Sequence, residues 1–280
     1  MNQPDIDRLH LPIRDAVFTG TVGRTLDAST PDWSIVQDVP APKGAPNVLV
    51  VLIDDAGYGQ ASTFGGPIAT PHLTRLADEG LRYTGLHTAA LCSPTRASLL
   101  TGRNHHRVGF GSIGELSGPF PGYSGVVPKD CAPFPKILQQ NGYSTGAIGK
   151  WHLTPSRAQG PAGPFDRWPS GWGFDYFWGF LSGESGQYDP MIYENDAVEQ
   201  AYGGPNDRDF YLPDALTDKA IAWLHGTRAH KADKPWFLYY STGCAHAPHH
   251  VPEEWSAAYK GMFDDGWDAY RERTFARQKE

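Results

Sequence analysis

The chain has 280 residues, 40% hydrophobic and 20% charged, with 31 acidic against 24 basic side chains and a formal net charge of −7. A chain of this length and apolar content can bury a sizeable core, as one large α/β domain or two ordinary ones. The mild acidic excess, with no basic stripe, excludes a general nucleic-acid binder, whose surface must neutralise phosphates.

The first residues, MNQPDIDRLHLPIRDA, lack a basic segment followed by an apolar one, and no run is long enough to span a bilayer. The expectation is no membrane span and cytoplasmic residence, with the periplasm kept open. Cys92, Cys131 and Cys244 are odd in number and have no CxxC spacing, so neither a disulfide framework nor a zinc knuckle is indicated.

Residues 1–45 are polar and contain prolines, and they are expected to form an N-terminal arm over a domain spanning residues 46–280. The run 48–53, VLVVLI, is continuously apolar and β-branched, the pattern of a parallel strand covered on both faces, and it stops at Asp54-Asp55. A helix follows, with Thr70 as N-cap, Pro71 at its first position, Leu73, Leu76 and Ala77 on one face and Gly80 as its stop. Residues 81–87 are expected as another strand. Ser93-Pro94 then opens a short helix carrying Ala97, Leu99 and Leu100 and closing near Gly102, which puts Cys92 at its N-terminal edge.

The same grammar recurs twice. Residues 134–140 form a helix ended by Asn141-Gly142, and a strand over 143–148 runs into Gly149-Lys150-Trp151-His152. Leu216, Ala220, Ile221, Trp223 and Leu224 mark a further helix, followed by a strand over 235–241 that leads to Cys244-Ala245-His246. Alternating helices and apolar strands imply an α/β fold, a mostly parallel sheet with helices on both faces. Asp54-Asp55, Lys150 with His152, and His246 each lie just past the carboxyl end of a strand, the edge where open α/β sheets bind ligands.

Asp54 and Asp55 are hard oxygen donors of the kind calcium or magnesium selects, although an isolated Asp-Asp pair serves equally well as a turn or cap after a strand. The stretch Cys92-Ser93-Pro94-Thr95-Arg96-Ala97-Ser98-Leu99-Leu100-Thr101-Gly102-Arg103 closely resembles the signature of type I sulfatases. Its C-x-P-x-R core directs oxidation of the cysteine to formylglycine in that family. Gly149-Lys150-Trp151-His152 resembles the family's G-K-W-H segment, and His246-Ala247-Pro248 its His-x-Pro element. The aromatic segment 165–177 is also similar to the large bacterial subgroup, and it is expected to line the leaving-group side of the pocket, with core packing as the alternative.

The resemblance implies an alkaline phosphatase-like fold and hydrolysis of a small-molecule sulfate ester, in the manner of an arylsulfatase. It also implies maturation by a formylglycine-generating enzyme. Formylglycine hydrates to a geminal diol, one hydroxyl attacking sulfur and the other allowing sulfate to leave without attack by water. By resemblance, Asp54, Asp55 and residue 92 would bind a divalent metal, calcium first, with magnesium or manganese as alternatives. Arg96 would contact the formylglycine hydroxyl and the metal-site carboxylates. Lys150 and His152 would bind sulfate oxygens, His152 assisting elimination, and His246 would serve the leaving oxygen. His249 and His250 have no family counterpart and are expected to face solvent.

The family's later Asp-Asn ligand pair and second sulfate-binding lysine have no counterpart in this sequence. The expectation is therefore a C-terminally truncated, incomplete catalytic domain of doubtful activity, with an exposed sheet edge through which it could form an oligomer. Three rivals stand beside the sulfatase reading: a phosphonate or phosphate ester hydrolase of the same superfamily, a non-catalytic fragment binding anions or a partner, and, more weakly, a cysteine hydrolase using unmodified Cys92.

Overall fold

A computed structural model describes residues 7–199 and 209–280. Its centre is a six-stranded sheet built from β1 (Val48–Leu52), β2 (Ser144–Lys150), β3 (Tyr176–Phe180), β4 (Ile192–Glu194), β5 (Ala197–Glu199) and β6 (Trp236–Ser241). The spatial order is β1-β6-β2-β3-β4-β5, and the first four strands run parallel while β4 and β5 are antiparallel. The α/β class and the mostly parallel sheet are as the alternation of elements predicts. The strands β1, β6 and β2 are immediate neighbours, so the motifs that follow them emerge on one rim.

The helices are α1 (Pro71–Glu79), α2 (Cys92–Thr101), α3 (Phe134–Gln140), α4 (Leu212–His230), α5 (Glu253–Ala257) and α6 (Gly266–Gln278). Side chains alternate along β6, Phe237 and Tyr239 entering one core with Ala97 and Leu100 of α2, and Leu238 entering a second with Leu212, Leu216 and Ala220 of α4. Helices therefore cover both faces of the central strands, which explains the nearly continuous apolar run of β6. Where Gly149 of β2 stands opposite Ser241 of β6, only glycine fits. A Cβ on Gly149 would lie 1.8 Å from the Ser241 carbonyl oxygen, and its φ is +106°.

Three expectations are corrected. The run 48–53 is not covered on both faces: Val48, Val50 and Leu52 pack against the core, whereas Leu49, Val51 and Ile53 are 52%, 47% and 42% exposed. β1 is one of the sheet's two edge strands, and α4 lies over β2 and β3 instead. Residues 81–87 form no strand; they are irregular and exposed, with no ladder partner among the described residues. The aromatic segment 165–177 is core: Trp168, Trp172, Phe174 and Phe177 are buried, and Trp172 meets Trp151 edge-on at 5.1 Å. Burial of that much ring area outweighs a role at a wet pocket wall.

The described part of the arm, residues 7–45, carries two short 3-10 turns and is tied to the amino-end side of the sheet. Arg8 donates to Asn141 Oδ1 at 2.8 Å and to the Pro40 carbonyl at 2.7 Å, and Lys231 Nζ donates to Asp38 at 2.7 Å. Among the described residues no helix is long and apolar enough to cross a membrane.

Candidate active site

The rim is stitched together by backbone. Asp54 N–H donates to the Cys244 carbonyl and the Asp54 carbonyl accepts from Ala245 N–H, both at 2.7 Å, so the loop after β6 is held against the end of β1. Asp54 is buried at this junction. Asp55 follows with φ +53° and is exposed.

Arg96 lies one turn into α2 and is 1% exposed, so it is no surface arginine. Its Nη2 donates to Asp54 Oδ1 at 3.0 Å, and its Nη1 reaches the Lys150 carbonyl at 3.0 Å and the Tyr239 hydroxyl at 3.1 Å, with Ser241 Oγ also in contact. Lys150 ends β2, is equally buried, and donates its Nζ to Asp54 Oδ2. One carboxylate thus answers two buried cations, leaving these three side chains with a net positive charge. Burial works against ionisation of Asp54, but Arg96 and Lys150 outweigh it and hold its pKa below the ordinary carboxylate value. Burial likewise opposes the Arg96 charge, and Tyr239 and Asp54 more than offset it.

His152 sits two residues past β2 with φ +59°. For a non-glycine residue that left-handed conformation is uncommon and worth explaining; here it accompanies an imidazole turned inward, 6% exposed. Its Nε2 donates to Glu115, 3.0 Å from each carboxylate oxygen, while Nδ1 is buried without a hydrogen-bond partner. Burial pushes the His152 pKa down, but Cys92 and Glu115 outweigh it and raise it overall. Cys92 is half-buried at the first position of α2. Burial opposes its ionisation, and the neighbouring His152 and Lys150 reverse the balance, lowering the thiol pKa.

Glu115 was not legible as a site residue. It stands 37 positions before His152 in a short 3-10 turn, Gly114–Leu116, with no motif around it. The hydrogen bond to His152 draws its pKa down to about 2, against the cost of burial.

His246 is brought to the same rim but belongs to a second, more open pair. Its Nε2 lies 3.8 Å from Asp55 Oδ2, and its Nδ1 donates to the Ala247 carbonyl at 2.9 Å. His249 and His250 are exposed. Among the described residues no three His, Cys, Asp or Glu side chains gather in a way that could hold a metal ion, so the expected grouping of Asp54, Asp55 and Cys92 is not formed. The physical reason is the pairing itself: both Asp54 oxygens are committed to Arg96 and Lys150, and Asp55 faces His246. In this arrangement the donor set does not fit a hard divalent ion, which wants about six oxygen ligands.

The sulfatase family model matches residues 46–279. Among curated proteins, the chain is similar to the uncharacterized sulfatase PB10D8.02c of Schizosaccharomyces pombe, 35% identical over 256 residues that cover 84% of this chain and 44% of that protein. It is also similar to an arylsulfatase of Klebsiella aerogenes, 29% identical over 240 residues, 81% of this chain and 49% of that protein. Among solved structures, Ps i-CgsB in complex with k-i-k-neocarrahexaose matches with a TM-score of 0.64 at 26% identity, covering 83% of this chain and 52% of that one. The chain spans about half the length of the curated relatives it matches.

Proposed function

The chain belongs to the sulfatase family, and from that premise we propose that it carries the nucleophile and the cationic floor of a sulfuric ester hydrolase. The observation that supports this most directly is the buried trio of Arg96, Lys150 and Asp54 beside the first turn of α2. An uncompensated buried charge is costly. A sulfate monoester brings one negative charge and three non-bridging oxygens, which offsets the surplus cation. The N-terminal N–H groups of α2, with no side-chain cap on Leu91, add donors and a favourable dipole for the same anion.

Residue 92 is the nucleophile in this reading. Converted to formylglycine, it would supply one diol hydroxyl for attack on sulfur and a second for release of sulfate. Lys150 and Arg96 hold charge close to the reacting group, His152 moves a proton at residue 92, and His246, at the open side of the rim, serves the leaving oxygen. A divalent metal, as the family implies, would add Lewis-acid polarisation of the sulfate oxygens.

The test is co-expression with a formylglycine-generating enzyme, mass spectrometry of the peptide containing residue 92, and turnover of an aryl sulfate beside an aryl phosphonate. Conversion with preference for the sulfate supports the reading. An unmodified thiol in every copy, or preference for the phosphonate, overturns it. The lack of a three-donor metal group among the described residues favours a second reading, a sulfatase-like chain that binds anions without turnover. Its signature is sulfate binding by calorimetry with no hydrolysis after conversion.

A further inference from the structure

The geometry points to Glu115 as the positioning residue for His152, fixing the ring so that Nε2 keeps its proton and Nδ1 is the atom left to serve residue 92. The inference rests on the reading of residue 92 as the reacting group. Glu115 does not touch that residue and acts only through the imidazole.

Four observations carry it. Both carboxylate oxygens of Glu115 stand 3.0 Å from Nε2, a bifurcated acceptor that leaves the ring little freedom to rotate. Nδ1, the opposite nitrogen, is buried and has no hydrogen-bond partner, which is costly unless it has a task. The turn bearing Glu115 is anchored to the nucleophile's own helix, because Gly114 N–H donates to Oγ of Ser93, which is fully buried and adjacent to Cys92. Finally, Gly183 closes over the pair. A Cβ there would lie 2.7 Å from His152 Cε1, 2.8 Å from Nε2 and 3.3 Å from Glu115 Oε1.

The chemical consequence follows from the imidazole itself. A neutral ring has one N–H and one lone pair, and whichever nitrogen donates fixes the other as the acceptor. An anionic carboxylate accepts only, so Glu115 places the proton on Nε2 and the lone pair on Nδ1. A hydroxyl on residue 92 can then pass its proton to Nδ1. Without Glu115 the ring samples both tautomers and both flips, and the fraction competent for that transfer falls. An ionised carboxylate that orients an imidazole is a general device of nucleophilic catalysis, here delivered from a loop that the nucleophile's motif does not include.

The test is nitrogen-15 NMR of the histidine rings in the 280-residue chain, with the His152 signals assigned by their loss in His152→Gln. At a pH above the raised His152 value, wild type is expected to show the neutral ring protonated at Nε2. Glu115→Ala should show a mixture of tautomers, and Glu115→Asp should restore the wild-type pattern in part. Unchanged nitrogen shifts in a folded Glu115→Ala chain overturn the proposal; should that variant fail to fold, Glu115→Leu, which likewise offers no acceptor to Nε2, is read in the same way. A second arm measures aryl sulfate turnover after conversion of residue 92. There kcat should fall about 10²-fold in Glu115→Ala, the scale of one acid–base group, with KM changing far less. Equal loss in kcat and gain in KM also counts against it. A chain that hydrolyses no aryl sulfate speaks against the sulfatase reading alone, because the NMR arm needs no turnover.

Discussion

Asp54 and Lys150 form a buried ion pair that bridges the ends of β1 and β2 across the intervening strand β6, their side chains 6% and 0% exposed. Arg96 occupies the other oxygen of the same carboxylate. Removing Asp54 therefore strands two buried cations, whereas removing Lys150 leaves a balanced pair.

The two substitutions should differ accordingly. Asp54→Asn is expected to cost about 3–5 kcal/mol, the scale of a buried pair broken from one side, and Lys150→Met, which fills a similar volume, distinctly less. Urea unfolding of the two variants checks this. Equal losses would show that the trio is not organised by charge.

The acid limb of stability should carry a contribution from Glu115. Its pKa in the fold is about 2, against 4.5 for the free group. A depressed carboxylate stabilises the fold above the unfolded value, and that contribution is lost as pH falls from 4.5 towards 2. Because the side chain is half-exposed, screening reduces the effect to about 1 kcal/mol. The raised His152 pKa works in the opposite sense, its contribution being present below pH 6.5 and lost as pH rises through the folded value. Glu115→Gln should flatten the acid limb in chemical denaturation followed between pH 5 and pH 2, on the order of that window. An unaltered slope would count against the pairing.

Gly149→Ala should be severely disruptive. Its φ of +106° is unfavourable for alanine, and the new Cβ would lie 1.8 Å from the Ser241 carbonyl carbon's oxygen. Separation of β2 from β6 would move Lys150 and His152 together, so soluble yield and anion binding should fall in parallel. A well-folded Gly149→Ala chain with unchanged sulfate affinity would refute this.

The open face of β1 should drive self-association. Leu49, Val51 and Ile53 are all more than two-fifths exposed beside an edge that is unpaired among the described residues, and exposed apolar edges of this kind attract further chains. Sedimentation of wild type should show concentration-dependent species that Val51→Lys suppresses. A monodisperse monomer for the wild-type chain is the outcome that excludes it.

Much of the fold was legible because its central strands are buried on both faces and several helices begin at a proline or end at Gly or Asn. Pro71 and Gly80 bound α1, and Asn141 ends α3, where short-range chemistry expects them. The exposure of β1 was not legible, because VLVVL has the same composition whether a helix covers it or not. The segment 81–87, LRYTGLH, fails for a related reason: a short run of mixed apolar and polar residues becomes a strand only when a neighbour accepts its hydrogen bonds. The aromatic stretch 165–177 could have faced a pocket or a core, and only the presence of Trp151 and Tyr193 against it decides for the core.

By itself the sequence determined which chemical groups this protein offers and roughly where along its strands they emerge: the Cys92 motif at a helix start, and Asp54, Lys150 and His246 at or just past strand ends. Those features depend on residues within a few positions of one another. Tertiary structure alone decided that Asp54 is shared by Arg96 and Lys150, 42 and 96 positions away, and that Glu115 holds His152 across 37. Such pairings are set by burial and by the removal of water around charge, and neither is a property of any short stretch of chain.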